Sequence, residues 1–208
     1  MTNVQSVDPD AAQPDADEAD SILIGLVPMP TCSLSALGAF LDAARLMASS
    51  HERLSVAVLP LFGPTVSFGS AHLCGRATSA RPNNGVFDYV AIVGDTIAPA
   101  PALAPAALQF LQANARHAAT LIGVGAGTFA LAEAGLLTGQ LACVPPALAK
   151  AFADRFPTVR LAASDRPFVE DARRITCLGE ASTTDLVLHL VRPIWRSEER
   201  RVGKECRS

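Results

Sequence analysis

The residues best placed to do chemistry in this sequence surround three alternating glycines, Gly123, Gly125 and Gly127. They follow an apolar segment, Thr120–Val124, that has the composition of a buried strand, and they precede a helical segment, Phe129–Glu133. A strand, a tight glycine turn and a helix in this order form the nucleophile elbows and phosphate cradles of α/β proteins. The stretch therefore indicates where catalysis or ligand binding would be centred.

Three interpretations of this stretch are open. The first is a dinucleotide-binding turn, because Gly125, Gly127 and Ala130 satisfy the pattern G-x-G-x-x-A. That motif also needs an acidic residue about 20 positions later; the region 140–144 has none, and Glu133 comes too early, inside the helix. The second is structural: the glycines only let a helix pack closely on a sheet. The third is a nucleophile elbow from which the nucleophile has been lost.

No alternative catalytic set accompanies the glycines. The cysteines form no close pair and no metal-binding spacing, and Cys143 and Cys177 are not on the turn. The histidines lack motif contexts; His189, for example, follows Asp185 at the spacing of an ordinary helical pair. We therefore expect no enzyme activity, no cofactor and no metal. An odd number of cysteines without a secretion signal favours reduced thiols and a cytoplasmic location.

The glycine stretch, G-V-G-A-G-T-F-A-L-A-E-A-G-L-L-T-G-Q, resembles the elbow of the ThiJ/PfpI superfamily, which has a class I glutamine amidotransferase-like fold. More narrowly, it resembles the sensor domain of AraC-type transcriptional regulators. Gly125 stands where the family has its cysteine, and Pro145 stands where it usually has a histidine. The segment Phe152–Val191 resembles the same family, and the resemblance covers most of residues 21–192.

This resemblance implies a function without catalysis. It predicts a ligand-sensing and dimerising domain with an unknown small-molecule effector and a homodimeric partner. DNA would be contacted only through a C-terminal helix-turn-helix domain absent from this sequence. The alternatives are a degenerate ThiJ/PfpI-type hydrolase or hydratase, and a pure protein-interaction module. The predicted pocket residues are Asp42, Gly94, Asp95, Gly125, Ala126 and Pro145.

If the elbow is retained, its shape makes a specific demand on Gly125. Nucleophile elbows hold a residue in a strained backbone conformation that costs about 1–3 kcal/mol for a non-glycine side chain. We therefore predict a positive φ at Gly125, a turn that opens onto a crevice beside Gly94 and Asp95, and a loss of that order on Gly125→Cys replacement. No turnover should result, because Pro145 supplies no base.

Strands and helices alternate along the chain, and the strands are apolar throughout, which is typical of a parallel sheet buried on both faces. The predicted fold is a doubly wound α/β protein, flavodoxin-like, with helices on both faces of a mostly parallel sheet. Ligands bind such sheets at the carboxyl ends of the strands. The loops Met29–Ser33, Gly94–Ala98, Gly125–Gly127 and Val144–Pro146 are therefore expected around one crevice.

The individual elements follow from periodicity and from turn residues. In helix Leu34–Met47 the core face is predicted to be Leu34, Leu37, Leu41 and Ala44. A small hairpin or irregular excursion is expected within Gly63–Arg81. The other predicted strands are Ser21–Val27, Leu54–Leu61, Asp88–Val93, Val159–Ala162, Pro167–Glu170 and Ile175–Leu178; the other helices are one through Leu103–Leu111, one over Pro146–Phe156 and one over Glu180–Val191, and Gly135 is expected to end the helix after the glycine turn.

Both ends of the chain are predicted to lie outside this domain, which we expect at residues 21–195. Residues 1–20 hold six acids and no base, which is typical of a disordered tail. Residues 196–208 resemble the translation of a sequencing adapter and are expected to be non-native. Between the two, 12 basic residues face 11 acidic ones, so the domain has no electrostatic signature of DNA binding. No apolar run approaches the roughly 20 residues of a membrane span, and no membrane association is expected.

Overall fold

The computed structural model describes residues 22–48, 54–62, 65–68, 71–74, 87–163 and 165–192. Both predicted tails, 1–20 and 196–208, and residues 75–81 of the predicted excursion lie outside this described part. The strands are β1 Ile22–Pro28, β2 Leu54–Val58, β3 Thr65–Phe68, β4 Ala71–Cys74, β5 Tyr89–Val93, β6 Thr120–Val124, β7 Leu141–Ala142, β8 Arg160–Leu161, β9 Phe168–Asp171 and β10 Arg174–Cys177. The helices are α1 Leu34–Ala48, α2 Pro105–Arg116, α3 Gly127–Glu133, α4 Pro146–Arg155 and α5 over residues 181–192.

The centre of the molecule is a six-stranded sheet in the order β2-β1-β5-β6-β10-β9. The first five strands of this order are parallel, and β9 adds to one edge as an antiparallel partner of β10. The apolar sequences of β1, β5 and β6 explain the arrangement, since the sheet is buried on both faces. The predicted fold class, a mostly parallel sheet with helices on both faces, is confirmed.

Each face of the sheet has its own buried cluster. Alternate residues of β5 show the division: Val90 and Ile92 belong to the cluster covered by α2, α3 and α4, whereas Ala91 and Val93 belong to the one covered by α1 and α5. The first cluster includes Phe129 and Phe152, whose rings pack edge to face with centroids 4.9 Å apart. These two layers fix where the strand ends lie, and the strand ends carry the candidate site.

The predicted core face of α1 is wrong in part. Leu37 is buried as predicted, but Leu34 and Leu41 are 56% and 41% exposed, and Ala36 and Phe40 are buried in their place. The sequence L-S-A-L-G-A-F-L places apolar residues on two overlapping faces of the helix, and the face that contains Phe40 packs on the sheet. The side chain of Ala44 lies outside the described part.

Two small pairs complete the described structure. The predicted excursion contains an antiparallel pair of β3 and β4, which agrees with the expected hairpin. β8 falls within the predicted strand Val159–Ala162 and forms a parallel pair with β7, which the sequence did not indicate because a two-residue strand leaves no periodicity. No helix in the described residues is long and apolar enough to cross a membrane.

Candidate functional site at the glycine elbow

The turn between β6 and α3 has the predicted elbow conformation. Gly125 has φ +59°, and the helix begins two residues later at Gly127. The N–H of Gly125 donates to the carbonyl of Cys177 at 2.9 Å, which ties the turn to the end of β10. The helix ends as expected, with Gly135 at φ +75° just after its last turn.

The elbow nevertheless has no room for a side chain. A Cβ placed on Gly125 would lie 2.6 Å from the carbonyl oxygen of Asp95 and 3.3 Å from that of Gly94. The same Asp95 oxygen accepts a hydrogen bond from the N–H of Ala126 at 2.7 Å, so it is held in place. Backbone atoms therefore fill the space that a side chain at position 125 would use, and the expected crevice beside Gly94 and Asp95 stays a prediction.

Close backbone packing continues on either side of Gly125. A Cβ on Gly94 would lie 2.6 Å from the nitrogen of Gly127. The N–H groups of Met29 and Ser33 donate to the carbonyls of Val93 and Gly94 at 2.9 and 3.2 Å. Three of the four predicted loops thus meet at the carboxyl edge of the sheet. The packing role proposed for the glycines is consistent with these contacts, and the elbow conformation accompanies it.

The side chain of Asp95 is bound within its own loop. Its Oδ1 accepts hydrogen bonds from the N–H groups of Thr96 at 2.6 Å and Ile97 at 2.9 Å. The hydroxyl of Thr96 donates to Oε1 of Glu180 at 2.8 Å, which links this loop to the segment before α5. The carboxylate therefore shapes the loop that closes the elbow.

The remaining predicted pocket residues are distributed differently. Ala126 is buried in the same cluster as Val144, the neighbour of Pro145, and Pro145 is itself buried and caps α4. Asp42 is exposed on α1. It lies eight residues beyond the start of that helix, about 12 Å along its axis, so it is distant from the carboxyl edge of the sheet, where the helix begins.

Glu133, the acid considered for a dinucleotide site, is engaged in a different contact. Its Oε1 accepts the N–H of Leu103 at 3.1 Å, and its Oε2 pairs with the guanidinium of Arg155 at 2.8 Å. Arg155 also donates to the carbonyl of Ala100 at 3.0 Å. Glu133 therefore joins α3, α4 and the segment before α2, and these contacts do not support a role in binding the ribose of a dinucleotide.

The described cysteines are poor nucleophiles. Burial raises the pKa of Cys32, near Asp95, and of Cys177 to about 12, and that of Cys143 to about 11. The thiol of Cys143 donates to the carbonyl of Thr176 at 2.9 Å. A thiol with such a pKa stays protonated at neutral pH, and the thiolate is the reactive form. The side chains of Cys74 and Cys206 lie outside the described part. Among the described residues, no cluster of three His, Cys, Asp or Glu side chains is placed to hold a metal.

The relatives of this chain are transcriptional regulators. No family model matches it. It is 37% identical over 93 residues to the HTH-type transcriptional regulator CdhR of Pseudomonas aeruginosa, covering 45% of this chain and 27% of the relative. It is 42% identical over 84 residues to the HTH-type transcriptional regulator GbdR of the same species, covering 40% and 22%. The chain is a homologue of HTH-type transcriptional regulators. It spans about a quarter of the length of these relatives.

Several solved structures share the fold of this chain. One is an AraC family transcriptional regulator from Pseudomonas putida, with a TM-score of 0.68 and 21% identity over 90% of this chain and 100% of that chain. Another is a cysteine-to-alanine mutant of a DJ-1 superfamily protein from Salmonella typhimurium, with a TM-score of 0.65 and 20% identity over 88% and 98%. At these identities the likeness concerns the fold alone. The predicted resemblance to transcriptional regulators is confirmed by the curated relatives, and the predicted fold is confirmed by its likeness to an AraC family regulator and to a DJ-1 superfamily protein.

A concave region lies at the edge of the sheet opposite the elbow. It has a volume of about 350 Å³ and is formed at the amino ends of β1, β5 and β6, with Arg173 from the turn before β10. Sequence reasoning missed it because its residues come from four separate segments and form no motif. The polar residues Asp88, His117 and Arg173 were the available signal, and their proximity depends on the strand order.

Proposed function

We propose that this chain is a non-catalytic, ligand-sensing and dimerising domain of an AraC-type transcriptional regulator that acts in the cytoplasm. Its homology to HTH-type regulators and its DJ-1/ThiJ/PfpI fold support the regulatory role. The observation that carries the non-catalytic part is the carbonyl oxygen of Asp95, which lies only 2.6 Å from the position that the Cβ of a residue at position 125 would take.

Loss of catalysis follows from the chemistry of the elbow. Acyl transfer at an elbow needs a nucleophile and a nearby base. Gly125 has no side chain, Pro145 has no proton to exchange, and the buried thiols of Cys32, Cys143 and Cys177 are protonated at neutral pH. We therefore assign this domain the role of a pseudoenzyme whose fold is retained for binding.

The exposed face of α1 supports dimerisation. Leu34 and Leu41 are seven residues apart, so they lie on one side of the helix, and Gly38 lies between them with open space above it. Two copies of this face can pack around a two-fold axis near Gly38, with Leu34 of each opposite Leu41 of the other. Such a contact is self-complementary, as a symmetric dimer requires.

Sedimentation velocity tests the dimer. Leu41→Glu should shift a dimer to a monomer, because it places a charge in the apolar contact. Gln109→Glu on α2, which covers the other face of the sheet, adds the same charge and should leave the dimer intact. A monomeric parent, or equal sedimentation of all three proteins, would overturn the assignment of this face.

The genomic sequence beyond codon 195 tests the regulatory assignment itself. We expect the uninterrupted reading frame to continue into a basic region with two helix-turn-helix units. The support for this expectation is that the chain spans only about a quarter of its curated relatives. A stop codon directly after this point would remove the regulator interpretation and favour the two alternatives, a degenerate ThiJ/PfpI-type enzyme and a protein-interaction module.

A further inference from the structure

The pocket at the amino edge of the sheet combines apolar walls with opposite charges. Ile22 and Phe87 supply apolar surface, and Asp88 and Arg173 lie on the same pocket. Its volume of about 350 Å³ falls in the range of small-molecule sites, and its lining is about equally polar and apolar. It lies at the opposite edge of the sheet from Gly125, so it is separate from the elbow.

Arg173 is the natural partner for an anion in this pocket. Its Nη1 donates to the carbonyl of Ala118, a residue held at φ +66°, so the side chain is anchored across the pocket. A guanidinium has five N–H donors, and one such bond leaves others for a ligand. In the described part of the chain no carboxylate is paired with Arg173.

Asp88 supplies the complementary group. Its Oδ2 accepts the N–H of Leu23 at 2.8 Å, which fixes the side chain at the start of β5. The residue is exposed, and a carboxylate has roughly four acceptor positions, so it can accept a further hydrogen bond. Burial, and after it the negative charge of Asp88, raises the pKa of Tyr89, which also lines the pocket.

We infer that this pocket binds the effector, a small carboxylic acid that also carries a hydrogen-bond donor. The ligand carboxylate would bind the guanidinium of Arg173, whose planar fork suits that group. A hydroxyl or ammonium group would donate to Asp88, and the carbon skeleton would contact Ile22 and Phe87. This inference rests on the proposed sensing function and gives it a location and a ligand class.

The position of α5 connects this pocket to the end of the described chain. The helix starts after β10 at the carboxyl edge, and its 12 residues extend about 18 Å, more than the roughly 13 Å of a four-residue strand. Its end therefore reaches the amino edge. Val191 belongs to the buried cluster on which the pocket residues Ile22 and Tyr89 pack. A ligand in the pocket would therefore contact residues that pack against the end of α5, the helix that would precede the proposed DNA-binding domain.

Nuclear magnetic resonance titration of the full chain tests the site. The probes share a three-carbon skeleton: propionate, lactate and alanine carry a carboxylate, and propionamide carries no charge. The three carboxylates should shift the amide signals of Ala119 and Thr120, and propionamide should not. Lactate and alanine should bind more tightly than propionate, and Asp88→Asn should reduce that advantage for alanine, since it removes the charge but keeps an acceptor.

Substitutions of arginine give the matched comparison. Arg173→Gln should weaken carboxylate binding at least about tenfold, the consequence of losing a charge-assisted hydrogen bond. Arg160→Gln removes an exposed charge on β8 and should leave the affinity unchanged. Arg173→Lys, which keeps the charge without the planar fork, should lie between them.

Two results would overturn the inference: no shift at Ala119 and Thr120 with any carboxylate, or equal affinity of the Arg173→Gln and Arg160→Gln variants. Shifts confined to residues 94–97 and Gly125 would also overturn it, while leaving the sensing function standing at the other edge. The proposed function fails by a different result, the stop codon after position 195, so the two failures are distinguishable.

Discussion

Replacing Gly125 by alanine should be among the most costly single-methyl additions in this chain. The positive φ of +59° costs a non-glycine residue about 1–2 kcal/mol. The new Cβ would lie 2.6 Å from the carbonyl oxygen of Asp95, a backbone atom that already accepts the N–H of Ala126. Displacing packed atoms in a core costs about 1–3 kcal/mol. The two contributions together predict a loss of about 2–5 kcal/mol from the free energy of unfolding.

Gly135 provides the matched control. It has φ +75°, but apart from its chain neighbours no described residue lies within 4 Å of a Cβ built on it. Gly135→Ala should therefore show the conformational cost without the clash. The difference between the two variants, about 1–3 kcal/mol, measures the contact with Asp95 alone. Gly125→Cys should lose at least as much as Gly125→Ala, more than the strain of a positive φ by itself.

Urea denaturation followed by circular dichroism gives the required free energies. The parent and both variants are compared by their midpoints and slopes, since equal slopes show that the same surface is exposed on unfolding. A Gly125→Ala variant as stable as Gly135→Ala would refute the reasoning. It would mean that the Asp95 carbonyl yields without cost and that the elbow can accept a side chain.

Two further predictions concern the same edge of the sheet. Burial raises the pKa of the Cys143 thiol from an ordinary 9.0 to about 11, so at pH 8 iodoacetamide should alkylate it at least about a hundredfold more slowly in the native protein than in urea. Mass spectrometry of the labelled peptide measures the two rates, and equal rates would contradict the burial of the thiol. Asp95→Ala should lower the free energy of unfolding by about 1–2 kcal/mol, as for a lost capping side chain, because the N–H groups of Thr96 and Ile97 lose their acceptor. Asp95→Asn keeps an acceptor and should therefore lose clearly less. The reverse order of the two variants in a urea titration would contradict this role of the side chain.

The raised thiol pKa values also predict how stability depends on pH. A buried thiol favours its protonated form, so its contribution is fully present below the unfolded value of 9.0. It is lost as pH rises from there toward the folded values of about 11 for Cys143 and about 12 for Cys32 and Cys177. These groups should therefore leave stability unchanged between neutral pH and about 8, and weaken it above 9.

The elbow shows how far residue patterns lead to structure. The strand Thr120–Val124 was predictable from its apolar run, and the positive φ of Gly125 followed from the resemblance to a nucleophile elbow, since glycine adopts that conformation without strain. The lack of room for a Cβ at Gly125 was not predictable, because it depends on the carbonyl of Asp95, a backbone atom whose position is set by the pairing of β5 with β6.

The errors elsewhere have similar causes. On α1, apolar residues lie on two overlapping faces of the helix, and only the packing of the helix against the sheet decides that Phe40 is buried and Leu41 exposed. The pocket at the amino edge joins Ile22, Asp88 and Arg173, which are far apart in sequence and meet only through the strand order. Periodicity describes single elements, whereas sites between elements depend on their arrangement.

The central claim is that this domain regulates and that its DNA contacts lie outside residues 21–195. Fluorescence anisotropy with duplex DNA from upstream of the gene tests it most directly, with the uninterrupted gene product and the present chain measured side by side. We predict salt-dependent binding by the uninterrupted product and none by the present chain, whose residues 21–195 carry 12 basic and 11 acidic side chains. Equal binding by both proteins, or no binding by either, would contradict the account.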